Sequence, residues 1–499
     1  MPSTVRKAAR AASSALLLAW GLAARSAGAG TTTVLPGHVS SRVRAAAALD
    51  RVSSAEIVEL TLVVGVDQAL MDRTLAGLYG PNAPKNPRFL TSAEFAQKFD
   101  LAAKRRALKD FARAAGLDVS GVDKPNSLVV KVSGPAGAVE KAFGVRLRHY
   151  RSADGQVFRA NDSDPTIPAA LAPHLRAVLG LSNFRGALRP QLHRFNPTLA
   201  RVRAAASGSA APAILNGNGP SCYAGQCGLA PADIKTAYGL SGALNGTGQT
   251  VALLELDGYI ATDPALYSTQ FGLAAPHVIC TSADGACGVC GPNQTDPCDS
   301  TTFTGGQTDE GGNADGGMIE VMLDIDMVMA LAPKVSSITA YTALNTESGV
   351  LTAYSDIAND DTAQIASSSW GEDEESAGGA FMASESSVFQ QMAVQGQSFY
   401  AAAGDSGAYG ASGTGQPYAG TPLNWDPCSQ PNATCVGGTS LSGTLSPLSI
   451  TETVWNNGCS SGSNPGVNCQ LDGAGGGGIA SYGGYWPLPS YQNSVVGGS

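Results

Sequence analysis

Residues Gly316 to Lys334 run GGMIEVMLDIDMVMALAPK. Two glycines precede fifteen residues free of Gly and Pro, and Pro333 then marks a stop, so the pattern predicts a helix. Met, Val, Leu, Ile and Ala make up most of it, which predicts burial in apolar surroundings. Glu320 and Asp324 are four residues apart, so both carboxylates share one face, one turn from each other, while Asp326 falls on a different face. At about 5 Å and an effective dielectric near ~20, two such charges repel by roughly 3 kcal/mol, enough to raise one pKa by about two units. The pair can share a proton below neutral pH; the plain alternative is a solvated acidic stripe.

Working outward, apolar strand patterns surround this helix. They are GQTVALLELDGY (Gly248–Tyr259), SSITAYTA (Ser336–Ala343), AQIASSSWG (Ala363–Gly371) and QSFYAAAGDSG (Gln397–Gly407). Helical stretches such as LAPADIKTAYGL (Leu229–Leu240) and SESSVFQQMAVQG (Ser384–Gly396) lie between or before them. The alternation predicts an α/β domain whose parallel sheet is covered on both faces, with functional groups at the strands' carboxyl ends. Two such ends carry polar residues: Asp405 on the turn Gly404-Asp405-Ser406-Gly407, and Ser369-Trp370-Gly371, where the aromatic could wall a cleft. The run Glu372 to Glu375 reads as a solvated loop. His277 is the one histidine in this half, so a serine hydrolase here would need a carboxylate base.

The N-terminal half differs. Arg6, Lys7 and Arg10, an apolar run from Ala11 to Ala24 and Ala27-Gly28-Ala29 form a secretory signal over residues 1–29. After a loose Thr- and Ala-rich lead, residues from about Ser53 to Ser182 alternate strand, helix, strand, helix, strand, which predicts a ferredoxin-like α+β unit. The segment beyond Arg185 is an Arg-, Pro- and Ala-rich linker open to proteolysis. Up to Arg203 there are 29 Lys+Arg against 14 Asp+Glu, a balance of +15; from Ala204 on, 2 against 26, a balance of −24. A basic half facing an acidic half within one chain removes the need for a nucleic-acid partner. It predicts docking through many ion pairs whose carboxylates lie below their usual pKa, released as pH falls. No stretch is long and apolar enough to span a membrane. All ten cysteines lie between Cys222 and Cys469. The pairs Cys222/Cys227, Cys428/Cys435 and Cys459/Cys469 suggest local disulfides, and Cys280, Cys287, Cys290 and Cys298 have poor spacing for zinc.

Taken in order, these motifs resemble the sedolisin (serine-carboxyl peptidase) family from about Ser53 to Ser499. LTSAEFAQKFD and VSGPAGAVEKAFGV resemble its activation prodomain; EVMLDIDMVMALAPK, SSSWG, AAAGDSGAYG, CVGGTSL, TVWN and PSYQ follow its catalytic domain. The resemblance implies an enlarged subtilisin-like α/β fold. Residues 48–184 would be the prodomain, 185–225 a linker cut on maturation, and 226–499 the peptidase domain. It implies Glu320 as general base, Asp324 as its partner, Asp405 as a protonated oxyanion donor, and Ser369, Trp370 and Gly371 as substrate-binding residues. Peptides and the chain's own prodomain would be its partners. The family's nucleophile motif, S-G-T-S-x-x-x-P downstream of P-x-Y-Q, does not occur up to Ser499; Gly437-Gly438-Thr439-Ser440 lacks the proline. The chain is therefore expected to be a secreted acid-peptidase precursor without its last part, and inactive as it stands. The family's calcium site would lie in that part. A relic of such a peptidase, retained for binding or inhibition, is the competing reading.

Overall fold

The computed structural model describes residues 31–186, 188–190, 222–223, 226–227, 229–240, 242–283, 289–290, 316–405, 407, 424–445, 447–456, 474–478 and 486. The expected signal over residues 1–29, most of the linker, Cys459, Cys469, Cys287, Cys298 and the PSYQ segment lie outside them.

Six parallel strands form the central sheet, in the order Val278–Ser282, Ser337–Thr342, Thr250–Glu255, Ile365–Ser368, Ser398–Ala402, Thr434–Val436. Thr250–Glu255 and Ser337–Thr342 are buried at all but their first residues, as strands covered on both faces must be. Helices Gly316–Leu331, Glu347–Asp360 and Gly379–Gln395 pack on the sheet. The expected α/β class is observed. Ser337–Thr342 and Ile365–Ser368 are successive strands that flank Thr250–Glu255 on opposite sides. Connections therefore diverge at the carboxyl end of Thr250–Glu255, the place where such sheets leave a crevice.

The N-terminal unit is α+β. Asp118–Val119, Val129–Pro135, Ile57–Val64 and Leu175–Leu179 form an antiparallel sheet, in that order, against helices Leu101–Ala114 and Ala136–Phe143. Thr91 and Glu94 close a capping box at the start of helix Ser92–Lys98. The strand expected after Arg146, Leu147–Arg151, joins a second sheet with Ala47–Arg51 and Val157–Asn161. The supposed loose lead is ordered too, as strand Thr32–Val34 and helix Ser41–Ala45.

Strand Ile57–Val64 joins the two halves. Its residues Leu60 to Val64 are all buried, and since side chains alternate, both of its faces must be covered. Thr61 Oγ1 lies 2.6 Å from Ser348 Oγ, so Thr61 faces the body helix Glu347–Asp360. Lys131, opposite Thr61 on the neighbouring strand, donates to the Ala283 carbonyl at 2.7 Å on that same side. Val58, Leu60, Leu62 and Val64 then face the unit's own helices.

One expectation fails outright. Glu372, Asp373 and Glu374, expected in a solvated loop, are buried in strand Trp370–Asp373 and the helix that follows it. Tertiary contacts override the local charge: Arg42 of the N-terminal unit donates to Glu372 at 2.7 Å, and Ser41 Oγ bonds the Glu375 carbonyl at 2.9 Å. The expected Cys428–Cys435 disulfide is present. Cys222 and Cys227 stand opposite each other in a two-stranded ladder. Cys280 is disulfide-bonded, which removes it from any thiolate zinc set.

Candidate functional site

The polar groups gather where the sheet topology leaves its crevice. Helix Gly316–Leu331 begins against Asp257: a Cβ on Gly317 would collide with that carboxylate, so the glycine permits the close approach. One turn in, Glu320 is 2% exposed. Asp324, one turn further on the same face, accepts from Ser369 Oγ at 2.7 Å. Its carboxyl also bonds Glu255, the last residue of strand Thr250–Glu255, which is fully buried. Glu255 Oε2 accepts from the Trp370 indole nitrogen at 3.0 Å. Asp405 follows strand Ser398–Ala402 on a turn made by Gly404 at φ +89°. The Ala474 amide donates to the Asp405 carbonyl at 2.8 Å, and the Gly476 amide to that of Gly404 at 2.7 Å, pinning the turn.

These carboxyls act on one another. Burial raises Glu320 well above the usual carboxylate range, the neighbouring charges of Asp324 and Asp405 add to it, and a bond from Ser369 opposes. Burial lifts Asp324 to about 6, with the bonds from Ser369 and Glu255 pulling it back. Glu255 is raised by burial first and by Asp324 next, against the bond from Trp370. No cation offsets the three among the residues whose side chains are described. Carboxyls so placed hold shared protons, and Glu320 can take one from a hydroxyl and return it. Asp326, on another face, is lifted to about 7 by burial and by Asp263, away from the group.

The structure thus brings Glu320, Asp324 and Ser369 together, with Asp405 close enough for its charge to act on Glu320. Trp370 differs from its expected place. Its ring is buried with the indole nitrogen on Glu255, and its main chain and that of Gly371 pair with another segment. There Arg189 and Pro190, just past the N-terminal unit, pair antiparallel with Gly371 and Trp370 and pack on helix Gly316–Leu331. Glu255 was missed. The available signal was an acid ending an otherwise apolar strand, VALLE. Among the described residues no group of three or more His, Cys, Asp or Glu could hold a metal ion, and no step below uses calcium.

Residues 45–184 match the family described as Pro-kumamolisin, activation domain. Kumamolisin of Bacillus sp. (strain MN-32) is 33% identical over 77% of this chain and 60% of its own length. Xanthomonalisin of Xanthomonas sp. (strain T-22) is 30% identical over 84% of this chain and 49% of its own length. Sedolisin of Pseudomonas sp. (strain 101) is 28% identical over 93% of this chain and 71% of its own length. The chain therefore spans about half to two thirds of these relatives. A solved Pseudomonas sedolisin (serine-carboxyl proteinase) complexed with two molecules of pseudo-iodotyrostatin aligns at TM-score 0.42 and 26% identity, over 54% of this chain and 66% of that one.

Proposed function

The chain is a homologue of the sedolisin-family pro-peptidases, and from that premise we propose that its body hydrolyses peptide bonds as a secreted, acid-active serine-carboxyl endopeptidase. The observation that carries the proposal is the bonded series Ser369, Asp324, Glu255, Trp370 beside Glu320, with no neutralising cation among the residues whose side chains are described. Such a group costs stability, and a relic kept only for binding gains nothing from it.

In this mechanism Glu320 takes the proton of a serine hydroxyl as that oxygen attacks the peptide carbonyl, then delivers it to the leaving amine. Asp324 holds Glu320 in place and tunes its basicity. Asp405, protonated at acid pH, donates to the oxygen on which charge develops. Ser369, Trp370 and Gly371 hold the peptide main chain beside the reacting groups. No residue of the 499 is assigned as nucleophile, since the S-G-T-S-x-x-x-P motif is absent from them. The strand Arg189–Pro190 lies on Trp370–Gly371 as a substrate would, which supports cleavage of the linker as the maturation step.

The test is Glu320→Ala in a form that carries the nucleophile motif. Activity on peptides at about pH 3–5 should fall by about three orders of magnitude or more, with the fold intact by circular dichroism. Near-normal hydrolysis would refute the assignment.

A further inference from the structure

Asn345 lies three residues past the strand Ser337–Thr342, at the same end of the sheet as Glu255, and is fully buried. Its Oδ1 accepts from the Leu188 amide at 3.0 Å, and its Nδ2 donates to the Leu188 carbonyl at 2.6 Å. Its own carbonyl accepts from the Gly186 amide at 2.9 Å. A side-chain amide that bonds both main-chain groups of one residue does what a neighbouring strand does, and it is indifferent to that residue's side chain. The Leu188 side chain is nevertheless buried in the apolar core. Two residues on, Pro190 stands opposite Trp370.

We propose that Asn345 is a main-chain clamp of the peptide cleft, and that the pocket filled by Leu188 selects an apolar residue two positions before the one lying on Trp370. The inference rests on the peptidase reading, with the linker occupying the path of a substrate. Once the linker leaves, the donor and acceptor of Asn345 lose the partners the structure gives them. An extended peptide of any sequence restores both bonds, and the emptied pocket adds selection for apolar side chains.

The test is amide hydrogen exchange on the full chain at neutral pH, with strand Leu175–Leu179 as internal reference. In Asn345→Ala the Leu188 amide should exchange about tenfold faster while the reference strand is unchanged. Asn345→Asp keeps the acceptor but sets a carboxylate oxygen against the Leu188 carbonyl, so protection should be partly lost at neutral pH and regained at acid pH, where a protonated carboxyl can donate. Leu188→Met should retain it as well, and Leu188→Asp should lose it. A Leu188 amide equally slow in Asn345→Ala and in the unaltered chain would overturn the clamp; equal protection in Leu188→Met and Leu188→Asp would overturn the pocket. Should Asn345→Ala also lose the reference strand, the pH dependence of Leu188 protection in Asn345→Asp decides: no difference from the unaltered chain at either pH overturns the clamp. Exchange needs no catalysis. Activity is read separately, in a form that carries the nucleophile motif: activity there with an Asn345-independent Leu188 amide refutes the clamp alone, and inactivity there with an Asn345-dependent amide refutes the peptidase reading alone.

Discussion

Two nests of buried carboxyls are balanced in opposite ways. At the site, Glu255, Glu320 and Asp324 face one another without a cation among the residues whose side chains are described. At the junction of the two halves, Glu347, Glu372 and Asp373 surround Arg42, which bonds Glu372 at 2.7 Å and lies 4.4 Å from the centre of the Phe184 ring. The first nest belongs wholly to the body and can pass protons. The second is completed only by the N-terminal unit, so it acts as an anchor between halves. Burial sets the direction in both: it lifts Glu347 to about 7 and Glu372 to about 8, with Arg42 opposing.

The comparison breaks most sharply at Glu320. In a form that carries the nucleophile motif, Glu320→Gln should lower hydrolysis by about three orders of magnitude while leaving the thermal midpoint unchanged or higher, since one like charge is removed. Parallel losses of activity and stability, followed by kinetics and calorimetry, would make that nest structural.

Arg42→Met should do the reverse, costing about 3–5 kcal/mol by denaturant unfolding near pH 8, because buried acids lose their cation. Combined with Glu372→Met, most of that loss should return. A double mutant as weak as Arg42→Met would place the effect outside the pair.

Acidity acts on both nests with one sign. Carboxyls raised on folding contribute stability that is complete below their unfolded pKa near about 4 and is lost as pH rises through the folded values. Those are about 6 for Asp324, about 7 for Glu347 and about 8 for Glu372. The thermal midpoint of the full chain should therefore fall by a few degrees between about pH 5 and pH 8. The fall should steepen above about pH 7 in Arg42→Met, since Arg42 holds Glu372 down. A midpoint that rises over this range would contradict the assignment.

The smallest effect is expected at Lys124, which meets carboxylates of the body across the junction. It reaches Asp356 at 3.0 Å and Asp360 at 3.4 Å but is 29% exposed, so Lys124→Met should cost no more than about 1 kcal/mol.

The charge split misled as to mechanism. Docking through many ion pairs is not what the described residues do: Arg51, Arg88, Arg105 and Arg159 pair with Glu140, Glu94, Asp123 and Glu56 of their own unit. Nor do the carboxylates facing Arg42 and Lys124 sit below their usual range, for burial raises both Glu372 and Asp356. Net charge records composition, whereas the shift depends on how much water each carboxyl loses. The helix of Glu320 and Asp324 was legible because its apolar run and its acid spacing are local. Helix Glu347–Asp360 was not: every residue from Val350 to Ala358 is buried, leaving no polar face to mark a period. Arg42, in SSRVRAAA, and Asn345, in ALNTES, are single polar residues whose partners lie far along the chain, so no neighbouring residue announces them.

The strand Ile57–Val64 also has a consequence for the order of assembly. Synthesis runs from the N-terminus, so this strand and its own helices emerge while the helix that bonds Thr61 is still unmade. One face of the early sheet, the one that carries Thr61 and Lys131, must wait open until the body arrives to close it. The late helices then settle on a surface already formed instead of searching for one. A body stripped of that surface would have the same sequence without the path by which it folded, and its persistence would be set by how slowly it opens.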